Sequence, residues 1–97
     1  MKAANLPSWR KIRLDMEEIA SGHMPGGSRV SARKDLFPAN MNEAQVERAV
    51  REAYRYGERV RFQGDRVLVR GQTRDGLEIK IWVNTRTREI ETAWPVR

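Results

Sequence analysis

The chain has no cysteine and only one histidine, His23. Without cysteine there can be no disulfide framework and no thiolate metal centre. A lone histidine argues against a zinc site, which draws several ligands from Cys and His. No apolar run approaches the roughly 20 residues needed to cross a bilayer. The opening stretch "MKAANLPSWRKIRLDMEE" lacks the apolar core of a secretory signal. No repeat, linker or low-complexity segment divides the 97 residues, so one domain with a modest core is expected. Acidic side chains are also in deficit. Nineteen Lys and Arg face thirteen Asp and Glu, a formal charge of +6. Most of the cations are arginine, whose planar fork suits bidentate phosphate contacts. That balance favours a polyanionic partner, nucleic acid first among them.

The first part of the chain carries helical periodicity. Ser8 is a plausible N-cap, and Trp9, Ile12, Met16 and Ile19 recur at spacings of three and four, which predicts a first helix within residues 1–22. Gly22 stands where a helix would end. Residues 23–41 read as an irregular glycine-rich, basic loop with Pro25, Gly26, Gly27 and Pro38. Asn42 with Gln45 three residues on is the signature of a capping box, and the apolar face Val46, Ala49, Val50, Ala53 and Tyr54 predicts a second helix over 42–57.

From residue 58 to 97 the period changes to two. The turn pairs Gly64-Asp65 and Asp75-Gly76 and the turn "NTRT" separate about four strands of an antiparallel meander. Two helices packed on one face of such a sheet make an α+β domain. Strict alternation sends Val60, Phe62, Val67, Val69, Leu77, Ile79, Ile81 and Val83 toward the helices. It sends Arg59, Arg61, Arg66, Arg70, Lys80 and Trp82 the other way. Ile90 belongs to the core face, and Thr92 and Trp94 share its parity.

Cleavage of RNA by its own 2′-hydroxyl needs a base, an acid and cations for the charge on the phosphorane. His23, which titrates near neutral pH when unperturbed, is a candidate acid or base, with Lys34 and Arg33 as an electrostatic clamp. The Gly26-Gly27 pair would let backbone amides approach a phosphate. Thr92 is a candidate phosphate contact, and Trp82 a platform on which a base can stack. Arg29, Arg33, Arg66 and Arg70 are candidates to hold the RNA backbone. Each residue also has a plainer explanation: a loop histidine, a flexible turn, a β-branched strand residue, a tryptophan covering a sheet, a solvated charged face.

The order "GH-x-PGG", "KDLFP", "NEAQVERAVREAY", "QGDRVLVRG" and "REIETAWP" resembles the bacterial EndoU-like toxin domains. These belong to the barnase/EndoU/colicin/RelE (BECR) grouping of small ribonucleases, found at the C-termini of contact-dependent inhibition and other polymorphic toxins. The resemblance spans roughly residues 18 to 96. It implies a BECR-like fold and metal-independent cleavage of RNA, often tRNA, leaving 2′,3′-cyclic phosphate ends. In that family a histidine of the glycine-rich loop, a lysine before "FP" and a hydroxyl residue of the last strand carry catalysis. They correspond here to His23, Lys34 and Thr92. Such enzymes usually use two histidines, and Glu18 is the expected substitute for the second. The resemblance also implies a cognate immunity protein, no cofactor, a monomer, and a place in a larger secreted or surface toxin that acts in the target cell's cytoplasm. The alternatives are a non-catalytic RNA-binding module, a RelE-type ribosome-dependent ribonuclease, and a structural protein whose basic face meets an acidic partner.

Overall fold

A computed structural model describes residues 6–28 and 35–96. It shows an α+β domain with the element order β1 (Arg13–Leu14), α1 (Met16–His23), α2 (Glu43–Tyr56), β2 (Glu58–Gln63), β3 (Arg66–Gln72), β4 (Glu78–Asn84) and β5 (Glu89–Pro95). The strands form one mixed sheet in the order β1-β5-β4-β3-β2. β2 to β5 are the expected antiparallel meander. β1 is an addition, paired parallel to the start of β5 through Arg13↔Glu89 and Leu14↔Ile90.

That addition corrects the first helix. Ser8 begins only a single turn, its carbonyl accepting from the amides of Lys11 and Ile12. The chain then runs straight through β1, and Asp15 caps α1 by accepting from Glu18 N at 3.1 Å. The helical spacing of Trp9, Ile12, Met16 and Ile19 holds because a turn, an extended pair and a helix succeed one another along the same core. Gly22 lies buried inside α1, and the helix ends one residue later.

α2 forms as its periodicity requires. Asn42 Oδ1 accepts from Gln45 N and Gln45 Oε1 accepts from Asn42 N, both at 2.8 Å. Val46, Val50 and Ala53 are fully buried against β3 and β4. Burying each valine contributes roughly 1.5–3 kcal/mol. The helix comes so close to the sheet that a Cβ on Gly71 would stand 1.8 Å from Ala53 O. Arg51, on the far side of α2, is no idle surface cation. Its Nη1 donates to Trp9 O at 2.9 Å and Ile12 O at 2.7 Å, tying the N-terminal turn to the helix.

Two β-bulges break the strict alternation. In β2, Arg59 opposes Val69 and Arg61 opposes Leu68, so Val60 is the extra residue and Arg59 turns to the helix side. Val60 and Phe62 are 45% and 63% exposed rather than buried. β2 is the free edge, and α2 lies over β3 and β4 instead. In β5, Val83 opposes Ile90 while Trp82 opposes Thr92, leaving Glu91 as the extra residue. Burial along β5 falls on Ile90, Ala93 and Pro95. Thr92 and Trp94 therefore leave the core side and join Trp82 and Lys80 on the outer face.

Gly71→Ala should cost about 3 kcal/mol by forcing α2 off the sheet. Chemical denaturation measures it, and a loss below about 1 kcal/mol would show that the helix can shift without strain. A pH effect should come from Tyr54, whose hydroxyl donates to Pro7 O at 2.6 Å and whose pKa is raised, chiefly by burial. The folded chain holds that proton more tightly than the unfolded one. The contribution is therefore complete below about pH 10 and is lost as pH rises through the folded value. Tyr54→Phe should flatten the alkaline decline in melting temperature.

Candidate active site

His23 ends α1, half-buried, beside the edge of β5 that the two-residue β1 leaves uncovered. Three contacts fix it. Its carbonyl accepts from Phe37 N at 2.8 Å. Its ring stacks on Trp94 with centroids 5.8 Å apart and planes 25° from parallel. Its Nδ1 lies 3.0 Å from Asp35 O. A carbonyl oxygen can only accept, so Nδ1 carries the proton and the Nε2 lone pair of the neutral ring is left to take another.

Two of these contacts come from "DLFP", which holds the histidine from the far side of the glycine-rich loop. The glycine pair itself serves the backbone. Gly26 adopts φ +82°, and Gly27 packs on the last turn of α1, where a Cβ would meet Ala20 O at 2.3 Å. Gly27 N donates to Met24 O within that turn.

The outer face of the sheet gathers several of the other candidates. Thr92 stands opposite Trp82, and Trp94 opposite Lys80. Leu68, between Arg61 and Trp82 in the register, is buried and forms an apolar floor. The Arg66 guanidinium lies 6.0 Å from the Trp82 ring centroid. Arg66 Nε is 2.7 Å from Glu91 Oε1. That contact is an ion pair without hydrogen-bond geometry, since Oε1 is buried and has no hydrogen-bond partner. Asn84 Nδ2 donates to the other oxygen at 3.0 Å. Arg70 Nη2 donates to Glu78 Oε1 at 3.1 Å, and that bond is the main cause of its raised pKa.

The structure does not bring Glu18 to His23's side of the helix. Five residues along α1 put the two about 140° apart around its axis. Lys34, Arg29 and Arg33 lie outside the described residues. Among the described residues, no group of three or more His, Cys, Asp or Glu side chains could hold a metal ion. Lys80 and Glu91 were legible only as strand residues. The register places one opposite Trp94 and the other against Arg66 and Asn84.

No family model matches the chain, and neither a curated protein nor a solved structure matches it. The arrangement must be read on its own chemistry. Among the described residues it is an uncovered sheet face with two half-buried indoles, a hydroxyl, cations paired with Glu91 and Glu78, and an oriented imidazole at one edge.

The tautomer is open to direct measurement. In the neutral imidazole, long-range ¹H–¹⁵N correlation should show the His23 proton on Nδ1. A proton on Nε2 would mean the Asp35 contact does not orient the ring.

Proposed function

We propose that the protein is an RNA endonuclease that uses the outer sheet face as its substrate surface. One observation carries this reading. The bulge at Glu91 puts Thr92 on the same face as Trp82, Arg66 and Arg70, with Trp94 leading to an imidazole whose Nε2 has no hydrogen-bond partner among the described residues. A flat face suits a polymer, indoles suit stacked bases, and the half-exposed Arg66 and Arg70 side chains can turn their guanidinium groups to a phosphate.

In the proposed reaction a base takes the proton of a ribose 2′-hydroxyl, and the oxygen attacks the adjacent phosphorus. The P–O5′ bond breaks and an acid gives the leaving oxygen its proton. The products are a 2′,3′-cyclic phosphate and a 5′-hydroxyl. His23 fills one of these roles. Glu91, on the same face as Thr92, is better placed than Glu18 to fill the other. Thr92 bonds the phosphate, and Arg66, Arg70 and Lys34 offset charge on the phosphorane. Side chains alone supply the base, acid and cations that the reaction requires.

The further identification as a tRNA-cleaving toxin domain, delivered by a larger protein and blocked by an acidic immunity protein, rests on the EndoU-like motifs. Trp82, Trp94 and the arginines on one open face equally suit a module that binds RNA without cutting it, and catalysis separates the two.

Incubation with total bacterial RNA in EDTA should give discrete tRNA fragments with cyclic phosphate ends. His23→Ala should lower the rate at least about 100-fold. Glu91→Gln should fall by a comparable factor and Glu18→Gln by little. Thr92→Val, losing one hydrogen bond of about 1.4 kcal/mol, should fall about tenfold. RNA that is bound and left intact by the folded wild-type protein establishes the binding module instead.

A further inference from the structure

A second basic surface lies on the helix side of the sheet, away from Thr92 and Trp82. It is built from the outward face of α2, the turn that begins at Ser8, and Arg74 of the β3–β4 hairpin. Trp9 has a guanidinium against it from each of two elements, Arg10 at 5.1 Å and Arg55 at 4.7 Å from the ring centroid. Arg55 also lies 5.0 Å from the ring of Tyr56. Tyr56 in turn shares a small cleft with the Arg74 side chain. Arg48 lines the same small cleft, of about 120 Å³, as Trp9, Arg55, Tyr56 and Arg74.

The carboxylates of this surface are otherwise engaged. Glu47 pairs with Arg51 at 3.0 Å, and Glu52 accepts from the backbone amide of Arg74. Among the described residues Arg10, Arg48 and Arg55 have no carboxylate partner.

An ordinary solvated helix face intersperses cations with anions. Here guanidinium and aromatic ring alternate, from Arg10 to Trp9 to Arg55 to Tyr56. Stacking keeps each guanidinium plane ordered while its N–H groups remain available to phosphate. Tyr56 is 53% exposed, an open ring on which a base can stack. A further cleft, lined also by Glu58 and Glu78, joins Tyr56 to Arg70 of the outer face.

We infer that this Arg48–Arg55–Tyr56 surface is a second binding segment for single-stranded RNA, with the backbone on the arginines and a base on Tyr56. The identity of the ligand rests on the RNA reading above; the surface does not depend on catalysis.

The test is fluorescence anisotropy with a labelled 2′-O-methyl single strand of about 12 nucleotides, long enough for both segments. Arg48→Ala/Arg55→Ala should reduce the slope of log affinity against log salt by about 1.4, near 0.7 for each phosphate contact. The pair Arg13→Ala/Arg86→Ala, of equal charge change at arginines already paired with Glu89 and Asp65, should leave the slope unchanged. Tyr56→Ala, at an exposed position, should weaken binding at least about fivefold with little change in slope. It decides the matter if the arginine pair fails to fold by circular dichroism. Unchanged binding by the arginine pair and by Tyr56→Ala overturns the surface alone, leaving the strand on Arg66 and Arg70. Binding with these effects but no cleavage of the unmodified strand overturns catalysis alone. A wild-type protein that binds no strand overturns both.

Discussion

β5 has to serve two surfaces whose demands do not share a period, and the extra residue at Glu91 reconciles them. Ile90 must enter the core opposite Val83, and Ala93 must enter it opposite Ile81. Three residues separate the two, where an unbroken strand would allow two or four. Had β5 kept strict alternation, Thr92 and Trp94 would point to the side on which α1 packs against β5. The bulge gives up a regular ladder position and turns Glu91 and Thr92 outward together. Everything proposed for the outer face depends on that one irregular residue.

The close approach of α2 imposes the complementary constraint. Ala53, Gly57 and Gly71 meet where the helix ends over β3, with no room for another methyl group. Both helices lie on one side, α1 against β5 and α2 against β3 and β4, and among the described residues no element covers the other side of the sheet. An antiparallel sheet commonly leaves one face to solvent, and such a face is ordinarily polar. This one carries a buried leucine at Leu68 and two half-buried indoles at Trp82 and Trp94. The aliphatic stems of the neighbouring arginines can shelter such apolar surface while their charged ends stay in water.

What the sequence makes legible follows from how local each cause is. α2 is written almost completely in its own residues, because the Asn42–Gln45 box and a 3.6 period need no distant partner. The alternation of β3 and β4 and the turns between strands are equally local. The start of α1 is not, since Arg13 and Leu14 become a strand only by pairing with Glu89 and Ile90, more than seventy residues later. Neither bulge can be seen in one strand alone, because a bulge is a mismatch of count between two. That is why Val60, Thr92 and Trp94 were assigned to the wrong face, whereas Phe62 keeps its face opposite Val67 and is exposed because α2 does not reach the edge strand. His23 stands out in the sequence as a lone histidine. The carbonyl of Asp35 and the ring of Trp94, which define its chemistry, come from elsewhere in the chain.

The two arginine surfaces meet a polyanion on different terms. On the outer face Arg66 and Arg70 are already matched to Glu91 and Glu78, in pairs whose arginines are about half exposed. The Arg70–Glu78 pair is exposed, and an exposed ion pair contributes little to stability, so a phosphate can replace its carboxylate at small cost. The exchange adds little net charge to the contact, which leaves base stacking and geometry to decide what binds there. On the helix face Arg10 and Arg55 stack on rings, and among the described residues neither they nor Arg48 has a carboxylate in an ion pair to displace. A phosphate there is added rather than exchanged, and the attraction acts on any strand that arrives. The helix face thus suits capture and the outer face discrimination, and a strand spanning both would be gathered by one before it is read by the other.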